Sequence, residues 1–161
     1  MSSVYNLPNY NEKFFEYKTL TKIHGRPNID NILVLYKQVK QNAQCVPMTL
    51  GGGQLGYLSL VLSNTAYASI PGAAAFIRPT NPGNFTLTPN PTPAATRATP
   101  SPVPPPLTAE QIAIQKTNYD NRLRLYNETQ AVELALRNQL IEAIEPDYLQ
   151  ALRNQYTDMI N

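Results

Sequence analysis

The chain has one cysteine, one histidine and no tryptophan among its 161 residues. A lone Cys45 cannot close an internal disulfide, which suits a reducing compartment. His24 and Cys45 together fall short of the four ligands a structural zinc site takes. A Cys-His nucleophile pair would need an acid to orient the imidazole, and none is evident nearby. No stretch has the charged start and apolar run of a secretory leader, and none approaches the roughly 20 apolar residues of a membrane span. Ser2 stands where N-myristoylation needs glycine. A cytoplasmic protein with no membrane partner and no cofactor is the expectation.

Charge is also scarce. Charged residues make up 15% of the chain and the net charge is +2, too little to imply nucleic-acid binding by itself. Its distribution is uneven: residues 1–50 carry six Lys/Arg against three Asp/Glu, and residues 107–161 carry five against eight. No acid occurs between Asp30 and Glu110. Glu142, Glu145 and Asp147 cluster at a helix junction and read as a solvated edge rather than an acid-base pair, which needs burial to separate two pKa values.

Proline is what the chain has in quantity, and eleven of its fifteen prolines fall between Pro71 and Pro106. Proline fixes φ and removes a donor, so this stretch can be neither helix nor central strand. It reads as an extended, partly polyproline-like loop. Pro102-Val103-Pro104-Pro105 spells P-x-x-P, but a generic spacer or exposed loop explains it better than a specific ligand does.

Around the loop the periodicity is helical. Asn28 caps a segment whose apolar positions Ile29, Ile32, Leu33, Tyr36 and Val39 form an amphipathic stripe, and Pro47 ends it. Residues 57–62 predict a helix of two or three turns. Ser63 caps a short helix over 64–69. Thr108 and Gln111 form a capping box, with Leu107 and Ile112 as its staple. Beyond it Ile112, Tyr119, Leu123 and Tyr126 mark one face, while Val132, Leu136, Leu140 and Ile144 mark another, so a kink or break is expected near Asn127. Pro146 suits the first position of a last helix, with Leu149, Leu152, Tyr156 and Ile160 as its stripe.

The organisation expected is a mixed segment over 1–27, a first helical part over 28–70, the proline-rich loop over 71–107 and a second helical part over 108–161. The fold class is all-α, a helical bundle. Its expected core is Ile29, Ile32, Leu33, Tyr36, Leu58, Val61, Leu62, Leu123, Leu136, Leu140 and Ile144.

"GGGQLG" invites a nucleotide-binding reading, because Gly51, Gly53 and Gly56 fit G-x-G-x-x-G. A dinucleotide loop follows a strand and is answered by an acid about 20 residues on. Here a helix precedes it and that acid is missing. A Walker loop has lysine after its last glycine, where Tyr57 stands. Gly51, Gly52, Gly53 and Gly56 therefore read as a structural hinge, glycine being free to take positive φ. No catalytic residue, cofactor-binding residue or metal ligand is assigned, and the chain is not expected to be an enzyme.

"LTKIHGRPNIDNILVLYKQVKQNAQCVPMTLGGGQLGYLSLVLSNTAY", Leu20 to Tyr67, resembles the N-terminal capsid region of Gag proteins from copia-type LTR retrotransposons. There an L-x-x-I-x-G-x-P entry, an amphipathic helix, GGG-x-x-G and L-x-L-V-L-S follow in this order. "YNETQAVELALRNQLIEAI", Tyr126 to Ile144, is similar to a later helix of the same proteins. The resemblance implies a retroviral-type capsid N-terminal domain that self-associates into a virus-like particle around the element's RNA. A Gag-derived regulator that co-assembles with or interferes with a full-length capsid is the alternative. Family members continue into a second helical domain, and many carry a zinc knuckle. Neither lies within these 161 residues, so RNA is expected to be packaged rather than specifically bound by this region. The expected partners are further copies of the chain and a full-length Gag. Tyr148, Leu149, Leu152 and Tyr156 are the candidate interface, because a terminal helix has the least core left to cover it.

Overall fold

The computed structural model describes residues 7–48, 53–73, 75–94 and 103–150. Among the described residues five α-helices carry the fold: α1 (Tyr10–Lys13), α2 (Ile29–Cys45), α3 (Asn64–Ala68), α4 (Ala109–Ala143) and α5 (Pro146–Leu149). Two 3₁₀ turns, Gly53–Leu55 and Leu58–Leu60, lie between α2 and α3. No strand occurs among the described residues; the single β-bridge pairs Ile23 with Ile144. The protein is all-α.

The helix boundaries follow the capping chemistry. Asn28 and Asn31 form a reciprocal box at the start of α2: the Asn31 amide donates to Asn28 Oδ1 at 3.0 Å, and the Asn28 amide donates to Asn31 Oδ1 at 2.8 Å. Thr108 and Gln111 repeat the arrangement before α4, with distances of 2.9 and 3.1 Å. Ser63 Oγ accepts from the Ala66 amide at the start of α3. Each box satisfies donors that have no partner within the helix.

The chain divides into two compact units, one drawn from Met1–Arg78 and Asn127–Asn161, the other from Pro79–Tyr126. The core of the first unit includes Phe15, Leu20 and Ile23 from the N-terminal segment, Leu35, Val39, Ala43 and Val46 from α2 and its cap, Tyr57, and Val132, Leu136 and Ala143 from α4. Much of the segment expected only to be mixed is thus a structural strap. Its backbone is held by amide side chains. Asn42 of α2, fully buried, accepts from the Tyr17 amide at 2.8 Å and donates to Tyr17 O at 2.9 Å and Gln139 Oε1 at 2.8 Å. Gln139 of α4 donates to Tyr17 O and Lys18 O, both at 3.0 Å. Gln38 adds a two-bond clasp on Thr21. The Ile23 amide then donates to Ala143 O at 2.8 Å. Every donor and acceptor of the two buried amides is used, which burial of such groups requires.

This packing corrects the expected core. Leu58 and Leu136 are buried, while Val61, Leu62, Leu123, Leu140 and Ile144 are only half-buried. Ile29 is 77% exposed, Ile32 49%, Leu33 48% and Tyr36 42%. The reason is geometric. α2 is apolar almost all round from Ile32 to Tyr36, so several stripes fit its first half. The face that goes inside runs through Leu35, Val39, Asn42 and Ala43. Likewise the buried seam of α4 passes through Thr129, Val132, Leu136, Gln139 and Ala143. An i+4 row such as Val132, Leu136, Leu140 and Ile144 drifts around a helix, whereas alternating steps of three and four stay on one line.

Two further expectations change. Residues 57–62 form a 3₁₀ turn at Leu58–Leu60 rather than two or three α-turns. α4 is one helix through Asn127, so the break expected there does not occur, although the two compact units divide at that residue.

In the second unit the described part of the proline-rich segment forms neither helix nor strand, and it is tied to the first half of α4. Gln115 both accepts from the Thr88 amide and donates to Thr88 O, each at 2.8 Å. Gln111 pairs with the Asn90 side chain. The Tyr119 hydroxyl donates to Gly83 O at 2.8 Å, and its ring packs on Phe85. These three helix residues are four apart and so share a face.

Candidate functional site

The glycine-rich turn comes first, because the nucleotide reading depends on it. Gly51 and Gly52 lie outside the described residues, and Gly53 opens a 3₁₀ turn. Gly56 has φ +49°, and a Cβ built there would lie 2.5 Å from Gln44 O, 2.6 Å from Val46 O and 2.8 Å from Ala43 O. The next amide, Tyr57 N, donates to Ala43 O at 2.8 Å. Gly56 therefore packs against the carbonyl end of α2. That end carries the negative pole of the helix dipole, whereas a phosphate is held by the amide end. The requirement for glycine is steric and conformational.

Tyr57 follows it into the core at 1% exposure. Burial, and then the nearby Glu128 carboxylate, push its phenol up to about 12, against a hydrogen bond with Thr129 that acts the other way. Burial and Glu128 raise Tyr10 as well.

The titratable groups singled out from sequence lie at the surface. Cys45 is exposed. His24 Nδ1 lies 4.0 Å from Glu145 Oε1, with 84% of the His24 side chain exposed. Glu145 also accepts from the Gly25 amide at 3.1 Å, so it steadies the turn before α2. Glu142 and Asp147 are exposed, as a solvated edge would be. Among the described residues, no group of three or more His, Cys, Asp or Glu could hold a metal ion, and no helix is long and apolar enough to cross a membrane. Of the candidate interface residues, Tyr148 is exposed but Leu149 is 5% exposed and belongs to the interior; Leu152 and Tyr156 lie outside the described residues.

What the sequence did not single out as a surface is an apolar groove on the first unit. A groove of about 430 Å³ opens between α2, the Leu58–Leu60 turn and the second half of α4. Leu35, Val39, Leu60, Leu136, Leu140 and Ile144 form its floor and walls, with Ile32 and Tyr36 at the α2 side. Glu133 and Arg137 are its polar lining residues, and Glu133 is paired with Arg78. Beside the groove, α2 presents Ile29, Ile32, Leu33 and Tyr36 to solvent. These four stand at i, i+3, i+4 and i+7, one continuous helical stripe. The groove and the stripe share Ile32 and Tyr36, so they form one apolar surface. Contiguous apolar patches of this kind mark interaction sites on soluble proteins.

Comparison with protein-family models, with curated proteins and with solved structures finds no match for this chain. The reading of the surface therefore rests on its own chemistry.

Proposed function

We propose that the chain is a structural, non-catalytic protein of the copia-type Gag capsid class, which works in the cytoplasm by associating with copies of itself and enclosing RNA. The observation that carries this reading is the unpartnered apolar surface of α2 and its groove. A helix that puts Ile29, Ile32, Leu33 and Tyr36 into water, while a groove lies open beside them, is built to be covered. Several motif residues behind the Gag resemblance support it from a second side, because they shape the fold. Leu20 and Ile23 are buried, Gly25 turns at φ +73°, and Gly56 seats the chain on α2.

The test is light scattering on the purified protein over a range of concentration, with electron microscopy in the presence and absence of RNA. Large particles or ordered lattices are expected, with RNA promoting their closure. A protein that stays monomeric at hundreds of micromolar, with or without RNA, refutes the reading.

A further inference from the structure

We infer that the occupant of the α2 surface is α2 of a second copy, packed antiparallel about a two-fold axis near Leu33. This inference rests on the self-association reading and gives it a specific contact. The first support is self-complementarity. A two-fold contact applies one patch to itself, and here stripe and groove are adjacent parts of one patch. Pairing two α2 helices sets Leu33 of one copy against Leu33 of the other, and Ile29 of each against the Tyr36 end of the partner's stripe. The four stripe side chains present on the order of 400 Å², and a standard interface takes about 800 Å² from each partner. The groove walls add further apolar area, and the sum stays below a standard interface, which fits a weak contact of the kind that assembly by many copies multiplies.

The second support is charge. Asp30 flanks the N-terminal end of the stripe, and Lys37 and Lys40 flank its C-terminal end; the Lys40 ammonium lies 5.3 Å from the Tyr36 ring centroid. Neither Asp30 nor Lys37 belongs to an ion pair among the described residues. Parallel pairing would set Asp30 against Asp30 and lysine against lysine. Antiparallel pairing about Leu33 sets Asp30 of each copy against Lys37 of the other, twice per dimer, and opposes the helix dipoles favourably. The charges thus select one of the two orientations that the apolar stripe alone would allow.

The test is sedimentation analysis of the full chain at low salt, with far-UV circular dichroism as the check on folding. Leu33→Glu is expected to abolish dimer formation while leaving the helical signal unchanged, since Leu33 is half exposed. Asp30→Lys and Lys37→Asp are each expected to raise the dimer dissociation constant roughly tenfold, two contacts being lost and reversed in each dimer. The double variant is expected to return to the parent value. In a Cys45→Ser background, Leu33→Cys should form an intermolecular disulfide on mild oxidation. Assembly that persists at full strength in Leu33→Glu overturns the α2 contact and leaves capsid-type association standing. A double variant weaker than either single one overturns the antiparallel orientation. A parent chain that never associates overturns both.

Discussion

Replacing Gly56 by alanine tests whether the glycine turn is a packing element. At φ +49° an L-residue sits in the left-handed region, a strain of about 1–2 kcal/mol. The same strain applies to Gly72→Ala, where φ is +80° and nothing lies within 4 Å of the added carbon. At Gly56 the new methyl instead meets three backbone oxygens at 2.5–2.8 Å. None belongs to a side chain that could swing away. Relief requires the turn to lift from α2, which breaks the Tyr57–Ala43 hydrogen bond, worth about 1 kcal/mol, and loosens the buried Tyr57 ring. Overpacking of this kind adds about 1–3 kcal/mol. Gly56→Ala should thus cost about 3–6 kcal/mol, a large share of the 5–15 kcal/mol typical of a domain. Thermal unfolding followed by circular dichroism should place it on the order of 10 °C below Gly72→Ala. The two variants melting within about 3 °C of each other would refute the steric account.

Asn42→Ala removes a partner from the Tyr17 amide and from Gln139 Oε1 at once; it should cost about 3 kcal/mol in urea unfolding, and a cycle with Gln139→Ala should be strongly non-additive. Equal and additive single effects would show that the two amides act separately. Base titration checks Tyr57. Its raised pKa favours the neutral phenol in the folded chain, so its contribution is intact below pH 10. It is lost as pH rises from the unfolded value near 10 toward about 12. Phenolate absorbance should show a fraction of the tyrosines ionising only as helix is lost, and Tyr57→Phe should flatten the decline in stability over that range. An unchanged decline would remove Tyr57 as its cause.

The local grammar of the fold is legible in the sequence, and its long-range grammar is largely not. Asn28, Ser63, Thr108 with Gln111, and Pro146 announce the helix starts, because capping is a matter of neighbouring residues. The buried seams were misread because they run through Asn42, Ala43, Thr129 and Gln139, residues that no search for large apolar positions would choose. Asn42 and Gln139 become interior residues only because they meet each other and the Tyr17 backbone, and that meeting joins positions 97 apart. The apolar stripe of α2 is present as a stripe, but Ile29, Ile32, Leu33 and Tyr36 lie exposed rather than in the core. A pattern tells how a helix face is made; it does not tell whether the same chain supplies its cover. Gly56 was read as a conformational device, and the structure adds the three carbonyl oxygens that exclude a side chain.

The amide clasp on the strap also sets an order of events during synthesis. Tyr17 and Lys18 leave the ribosome before their clasp is complete, because Gln139 follows Tyr17 by 122 residues. Until then the strap has Asn42 and Gln38 to hold it but no second helix to close over it, and Phe15, Leu20 and Ile23 lack part of their shelter. Nascent chains shorter than Ala143 should consequently be open to protease in this region, and the first unit can lock only when almost the whole described chain has emerged.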